Sequence, residues 1–520
     1  MKHKSKLFGL LAIITMLVPL FVGGIVGGAD RVDEVPENVK VSLFKKAFKA
    51  GYPAEDIQNT GEPMVFPGEA LKDVKFKAYD ISDTFYKIQK EEKLSATATI
   101  QKIQGMANAI EEKTPQTGYD TLEKIGTLVD AEKVTDDKGK ATWDSLPTKG
   151  ADGKYKVYMF IESFKPANVT QSAAPLIVSM PVRVETQKGS GVYQYLDDIS
   201  LYPKNKIAEE GKKELKTEGL AEVTVSDAGN GNKTYGTQVG AIHDYTITTT
   251  IPAGIADASD YVVTDTPKPA GSLDFQEGSL AISGVTLEEG KDKDYVVTKD
   301  NATGGFKIDF KVDSAALFAN RGKQLTITYK MKVTDKAETD QTFTNKATVK
   351  VGDESFEYNT PNLVYGGHKF EKVDKNTGEA LAGVEFAITA RDGKPEDALY
   401  FKKDDTTGIW SLSSKGVEGA TTELVTDEKG GIEVKGLSYG DYDFHETKAK
   451  GGYVPLTEPV KFTVAHAKGK TVVPTKVENI EEGILPSTGG TGIIAFLAVG
   501  AALMAGAFIW YRKSKVNEEV

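Results

Sequence analysis

The sequence contains no cysteine in its 520 residues. The chain can therefore form no disulfide bond, no Cys-ligated metal site and no thiolate nucleophile. Histidine is also scarce, with five residues, and no HExxH or clustered metal ligands are visible. We therefore predict no metal, no cofactor and no enzymatic role. The net charge of −11 is spread along the chain rather than gathered in a tail, which argues against nucleic acid as a partner.

Long hydrophobic runs are confined to the two ends of the chain. At the N-terminus, three lysines precede an apolar stretch from Leu7 to Val26 and the small residues up to Ala29. This order is typical of a secretory signal peptide over residues 1–29, which is removed on export. Near the C-terminus, the segment 492–511 has no charge and is long enough to cross a bilayer core of about 30 Å. Basic residues follow it at once, which places that end in the cytoplasm.

The region between the ends is dominated by the alternation of apolar and polar residues that β-strands require. DYTITTTIPAG, for example, places Tyr245, Ile247 and Ile251 on one face. Frequent turn clusters such as DNATGG favour an all-β fold made of β-sandwiches. Helical spacing is rare, and the best case predicts a short helix around residues 100–110.

A weak internal repeat indicates the domain organisation. EALKDVKF at residues 69–76 reappears as EALAGVEF at 379–386, and VYMFIES around Glu162 is echoed by DYDFHET around Glu446. Two domains of one type are thus expected to flank a different middle domain. The predicted ranges are residues 1–29 for the signal peptide, 30–205 for the first domain, 206–365 for the middle domain, 366–482 for the third domain and 483–520 for the C-terminal segment.

Several polar residues share strand parity with apolar neighbours, which predicts that they are buried. Lys372 lies on the face of Phe370, Glu446 on that of Phe444, and Asn479 and Asn345 each lie among apolar residues. A buried lysine is rare because an unpaired charge in a core is costly. Two interpretations remain open at this point: a buried ion pair with a neighbouring amide, or a reactive cluster.

The reactive interpretation follows from what burial does to ionisable groups. Desolvation lowers the pKa of a lysine and raises that of a carboxylic acid, so a neutral amine and a neutral acid can coexist. The amine can then attack the asparagine side-chain amide while the acid polarises its carbonyl. The product is a Lys–Asn isopeptide bond, with loss of ammonia.

The third domain resembles the Cna B-type domain of Gram-positive surface proteins in FEKVDKNTGEALAGVEF, YDFHETKAKGGY and KVENI. This resemblance implies an immunoglobulin-like fold and a self-made bond between Lys372 and Asn479 promoted by Glu446. The middle domain resembles the second domain of backbone pilins through IPAG, VTDTP and TNKATV. It implies Asn345 as acceptor and Asp265 as acid, with Asp244 as a weaker candidate. Lys213 is the preferred amine, although Lys212 and Lys216 stay open. The first domain is expected to lack a cross-link, because no terminal asparagine stands out beside Glu162.

A short polar motif directly precedes the C-terminal hydrophobic run. Its residues are Leu485, Pro486, Ser487, Thr488 and Gly489. Followed by a hydrophobic span and a basic tail, the motif resembles a sortase sorting signal. The resemblance implies cleavage between Thr488 and Gly489, with the Thr488 carbonyl held as an acyl-enzyme until an amine resolves it.

A second motif suggests which amine resolves that acyl-enzyme. Its residues are Tyr202, Pro203, Lys204 and Asn205. The motif resembles the pilin motif of sortase-assembled backbone pilins, whose lysine accepts the threonine of the next subunit. The resemblance therefore implies three tandem immunoglobulin-like β-domains forming the backbone subunit of a covalent pilus.

The implied partners are other copies of the chain, pilus-specific and housekeeping sortases, accessory pilins, peptidoglycan and host surface ligands. The alternative hypothesis is a monomeric wall-anchored adhesin that binds a host ligand, in which Lys204 takes no part in linking subunits.

Overall fold

The computed structural model describes residues 31–49, 52, 57–114, 116–187, 189–225, 232–466, 473–483 and 491–516. The predicted signal peptide and the motif at 485–489 lie outside these residues. The chain divides into two compact units, one ending at Tyr365 and the other beginning at Gly366. The first unit contains separate hydrophobic cores for its two halves. Ile207 still belongs to the first core and Leu215 belongs to the second, so the change of core lies after the predicted border at residue 205.

The first half of the first unit holds fifteen described strands and three α-helices. The strands are β1 (Arg31–Val32), β2 (Asn38–Phe44), β3 (Lys46–Phe48), β4 (Glu69–Ala70), β5 (Lys75–Asp80), β6 (Thr127–Leu128), β7 (Lys133–Val134), β8 (Lys140–Pro147), β9 (Val157–Phe164), β10 (Val169–Gln171), β11 (Leu176–Ser179), β12 (Arg183–Glu185), β13 (Tyr193–Leu196), β14 (Asp198–Leu201) and β15 (Lys204–Ile207). The helices are α1 (Ser82–Glu92), α2 (Ala96–Glu111) and α3 (Leu122–Ile125).

The strands of this half form four sheets, with strand orders β1-β13-β12, β10-β15-β3-β4, β11-β9-β5-β6 and β14-β2-β8. The first and last long segments of the half run side by side, because β14 pairs in parallel with β2 and β15 with β3. Helix α2 confirms the helix predicted around residues 100–110 but is 16 residues long, and Ser95 caps its N-terminus. Helix α1 was not predicted. Both helices bury an apolar face in a core that includes Phe85, Ile103 and Met106.

The second half of the first unit is built around a pair of facing sheets and also contains a separate two-stranded sheet. Its strands are β16 (Lys212–Leu215), β17 (Thr234–Gly236), β18 (Ile242–Thr250), β19 (Tyr261–Lys268), β20 (Leu273–Phe275), β21 (Ala281–Ser283), β22 (Tyr295–Lys299), β23 (Phe306–Phe310), β24 (Gln324–Val333), β25 (Thr344–Val351), β26 (Glu354–Asn359) and β27 (Asn362–Val364), with a short helix α4 (Ala315–Ala319). One sheet has the order β16-β18-β24-β20 and the other β22-β23-β19-β25-β26. Residues of alternate parity from both sheets, such as Ile247, Val263 and Ile327, fill the space between them.

The second unit contains two further sheets. Its strands are β28 (Gly366–Asp374), β29 (Glu385–Ala390), β30 (Phe401–Lys403), β31 (Trp410–Leu412), β32 (Ala420–Thr421), β33 (Leu424–Val425), β34 (Gly431–Leu437), β35 (Gly440–Lys448), β36 (Val460–Val464) and β37 (Thr475–Asn479). The sheet orders are β32-β30-β31-β34-β28-β37 and β33-β29-β35-β36. Phe444 stacks between Phe370 and Phe386, with ring centroids 3.8 and 4.1 Å apart, and this stack joins the two sheets.

The C-terminal hydrophobic run forms helix α5 (Thr491–Val516). Within this helix, the segment Ile494–Ser514 is long and apolar enough to cross a membrane. The observed architecture is thus mostly β-sheet with an apolar C-terminal helix, as the sequence predicted.

Candidate functional site

The second unit brings together the three residues that the sequence singled out there. Lys372 on β28 and Asn479 on β37 lie on neighbouring parallel strands, while Glu446 reaches them from β35 in the facing sheet. The Lys372 ammonium lies 2.8 Å from Glu446 Oε2 and donates a hydrogen bond to Asn479 Oδ1. Asn479 Nδ2 donates to Glu446 Oε1 at 2.9 Å. All three side chains are buried, and burial lowers the pKa of Lys372 although Glu446 opposes that change.

The middle sheets bring together a second cluster. Lys213 Nζ lies 2.6 Å from Asp265 Oδ2, and Asn345 Nδ2 donates to the same oxygen at 3.1 Å. Burial lowers the pKa of Lys213 to about 8, against the raising effect of Asp265.

The alternatives that the sequence left open occupy other positions. Lys212 and Lys216 are exposed and pair with Glu214 and Glu218. Asp244 is exposed as well and pairs with Lys330 at 2.6 Å. The structure thus places Lys213 and Asp265, rather than these three residues, beside Asn345.

A third cluster lies in the first half of the first unit, where the sequence predicted no cross-link. Lys45, between β2 and β3, is fully buried and contacts Glu162 of β9. Lys45 Nζ also donates to Asn205 Oδ1 at 2.6 Å, and Asn205 Nδ2 donates to Glu162 Oε2 at 3.1 Å. Burial lowers the pKa of Lys45 to about 8. The structure supplies the asparagine that the sequence did not reveal, since Asn205 belongs to this cluster as well as to the YPKN motif. The absence of a cross-link in this domain stays a prediction.

The first and third clusters share one local backbone arrangement. The Lys45 carbonyl accepts from Leu71 N–H at 3.1 Å, and the Lys372 carbonyl accepts from Leu381 N–H at 2.9 Å. Each of these leucines is the last residue of the EAL sequence in one copy of the internal repeat. A glycine packs against the lysine carbonyl in each arrangement, where a side chain would not fit. A Cβ at Gly139 would lie 2.5 Å from the Lys45 carbonyl oxygen, and one at Gly430 would lie 2.3 Å from the Lys372 carbonyl oxygen.

The three clusters differ in which strands a Lys–Asn bond would join. In the first and third clusters the lysine and asparagine belong to parallel neighbouring segments of one sheet, and the acid comes from the facing sheet. In the middle cluster Lys213 lies in one sheet while Asn345 and Asp265 lie in the other. A bond there would join the two sheets.

Lys204 occupies the opposite face of the strand that carries Asn205. Successive residues of a strand point to opposite sides, so Asn205 is fully buried while Lys204 is half-buried. The Lys204 ammonium lies 5.5 Å from the ring centre of Phe66 and 6.0 Å from that of Tyr52. Tyr202 stacks between Phe44 and Phe66, which fixes the backbone just ahead of Lys204. Pro203 precedes β15, and its carbonyl accepts from Lys46 N–H at 2.9 Å.

The comparisons with known families cover most of the chain. Residues 36–206 match the family described as Gram-positive pilin subunit D1, N-terminal domain, and residues 481–519 match the LPXTG cell wall anchor motif. Residues 36–206 thus belong to a Gram-positive pilin family. Residues 227–362 of this pilin match the Sgo0707 N2 domain, and residues 366–479 match the prealbumin-like fold domain. It is a cell-wall-anchored surface pilus protein of a Gram-positive bacterium.

The chain is also similar to individual proteins over most of its length. The pilin is 25% identical over 421 residues to a fimbrial subunit type 2 of Actinomyces naeslundii, covering 71% of this chain and 70% of that one. The full-length RrgB pilus protein of Streptococcus pneumoniae is 18% identical with a TM-score of 0.50, covering 88% of this chain and 100% of that one. The major pilin SpaD of Corynebacterium diphtheriae is 21% identical with a TM-score of 0.45, covering 86% and 98% respectively.

Proposed function

We propose that this pilin is the structural backbone subunit of a covalent pilus, in which Thr488 of one copy is joined to Lys204 of the next. The observation that carries the proposal is that two neighbouring residues of β15 point to opposite sides of the strand. Asn205 is held in a buried cluster, while Lys204 next to it lies on the outer face. The buried neighbour would hold the strand in place while a sortase brings an acyl-enzyme to the Lys204 amine. The similarity to a fimbrial subunit and to a family of pilin domains supports this assignment.

The joining step balances as a transpeptidation. The Lys204 amine attacks the thioester carbonyl carbon of Thr488, the bond to the sortase sulfur breaks, and the released thiolate recovers a proton. A pilus-specific sortase would perform this step, and a housekeeping sortase would transfer the last subunit to peptidoglycan. Accessory pilins are proposed as further partners.

Peptide mapping of purified pili tests the proposed linkage. We expect a branched peptide in which the Thr488 carboxyl is joined to the Lys204 side chain. Monomeric chains isolated from the same cells are the control and should yield the unbranched Lys204 peptide. Finding Thr488 joined only to peptidoglycan would contradict the proposal.

We further propose that each of the three clusters forms an internal Lys–Asn isopeptide bond. The lysine Nζ attacks the asparagine Cγ, the bond from Cγ to Nδ2 breaks, and ammonia leaves. The acid carries a proton from Nζ to the departing nitrogen. Burial favours this step, since it lowers the pKa of the amine, which increases the neutral fraction, and excludes the water that would compete for the amide.

The intact mass of the folded chain tests the three bonds together. We expect the chain over residues 30–483, which contains every described strand, to be three ammonia molecules lighter than its sequence. Glu162→Ala, Asp265→Ala and Glu446→Ala should each restore one ammonia, because each removes the acid of one cluster. Asp244→Ala, an exposed acid in the middle domain, is the matched control and should restore none. A parent mass without any deficit would contradict the cross-links.

A further inference from the structure

The middle cluster contains a fourth polar group that has no counterpart in the other two. Tyr329 on β24 donates a hydrogen bond from its hydroxyl to Asp265 Oδ2. Among the described residues, no tyrosine hydroxyl donates to Glu162 or Glu446. The Tyr329 side chain is buried and its ring packs against Phe306 at 4.7 Å and Tyr245 at 5.7 Å, so the hydroxyl is held in one position. Burial raises the pKa of Tyr329 well above its usual value, which keeps the hydroxyl protonated as a donor.

The donors around Asp265 are distributed unevenly between its two oxygens. Oδ2 accepts from Lys213, Asn345 and Tyr329, whereas Oδ1 is buried and has no hydrogen-bond partner in the described part of the chain. Asn345 Oδ1 is likewise buried and without a partner there. Because three donors already face Oδ2, a proton on Asp265 is favoured at Oδ1. That is the oxygen free to donate to another acceptor.

We infer that Tyr329 is a positioning residue for the Lys213–Asn345 reaction, holding Asp265 so that its proton is carried on Oδ1 and is available to the carbonyl of Asn345. This inference rests on the proposed cross-link in the middle domain. As the amine attacks, the Asn345 oxygen gains negative charge and takes the proton, and Asp265 becomes a carboxylate. The Tyr329 hydroxyl then stabilises this carboxylate.

Tyr329 is also the donor that the reaction leaves intact. When the bond forms, Lys213 loses its charge and the Asn345 Nδ2 atom departs as ammonia. Two of the three donors to Oδ2 are thus altered, and a buried acid with too few partners would be costly. The first and third clusters differ at this point, because in both the lysine donates directly to the asparagine Oδ1.

The test is the rate at which the bond forms in newly made protein. The chain over residues 30–483 is synthesised in a cell-free system, quenched at intervals, digested and assayed for the branched Lys213–Asn345 peptide. We expect Tyr329→Phe to slow formation of this peptide by about tenfold, the loss expected for one hydrogen bond to a charged group. Tyr245→Phe is the matched control, since its ring stacks on that of Tyr329 but its hydroxyl is not among the donors found on Asp265.

The pH profile of the rate separates positioning from simple loss of structure. The groups facing Asp265 are Lys213, Tyr245, Tyr329 and Asn345. Because Tyr329 is proposed to act through the acid that it contacts, its loss should change the shape of the pH–rate profile and not only its height. A purely structural defect would slow the reaction equally at every pH, and this result would overturn the inference.

Two further outcomes are decisive. Equal rates for Tyr329→Phe and Tyr245→Phe would overturn the role of Tyr329 while leaving the cross-link in place. Absence of the Lys213–Asn345 peptide from the unchanged protein would overturn the cross-link itself. Thermal unfolding of both tyrosine variants in an Asn345→Ala background, where no bond can form, checks that the middle domain is folded.

Discussion

Replacing Lys204 with alanine is expected to abolish the ladder of high-mass pilus species on denaturing gels and leave only monomeric, wall-anchored chain. The acyl-enzyme at Thr488 would still form, but the amine proposed to resolve it would be missing. Lys204→Arg should have the same effect although it keeps the positive charge, because the guanidinium stays protonated and is a poor nucleophile. Immunoblots of cell-wall extracts give the measurement.

The matched control for this experiment is Lys206→Ala. Lys206 lies on the same face of the same strand, is half-buried like Lys204, and has its ammonium 5.1 Å from the ring centre of Tyr52. Its removal should leave the ladder unchanged. A ladder that survives Lys204→Ala would contradict the proposed linkage, and an unchanged monomer pattern in every variant would favour the adhesin.

The third-domain cluster could be predicted because its three residues lie on regular strands. Lys372, Glu446 and Asn479 each keep the alternation of their strand, so parity alone placed them in the core. The choice among Lys212, Lys213 and Lys216 could not be made in the same way. β16 is only four residues long, and the partner of Lys213 lies in the other sheet, at a distance along the chain that no local pattern records.

The first-domain cluster was missed although a signal for it was present. Lys45 continues the alternation of Val41 and Leu43, and Asn205 shares the parity of Ile207. The repeat did not reveal Lys45, because the two copies differ in spacing. The segment between Lys45 and Leu71 is much longer than the one between Lys372 and Leu381. This longer segment between Lys45 and Leu71 includes Tyr52 and Phe66, whose rings contact Lys204. Asn205 was assigned only to the YPKN motif, so no terminal asparagine was identified for this domain.

The three proposed bonds should differ in mechanical importance. In the proposed polymer, tension enters at Lys204 and leaves through the C-terminal end of the described strands. The residues before Lys204 lie outside that stretch of chain, so the Lys45–Asn205 bond closes a loop that tension does not pass through. The Lys213–Asn345 and Lys372–Asn479 bonds both lie within the stretch. Each would carry the load past the residues that it encloses.

Single-molecule stretching between Lys204 and the C-terminal end should therefore separate Glu446→Gln from Glu162→Gln. Lys372 and Asn479 are 107 residues apart, so loss of their bond should release about 350 Å of chain when the domain unfolds. Glu162→Gln should release none, although the loss of a loop of 160 residues should destabilise its own domain by about 5 kcal/mol in thermal unfolding. The unchanged protein is the control and should show neither extension. A long extension in Glu162→Gln would contradict the expectation that the first domain lies outside the path of tension between Lys204 and the C-terminal end.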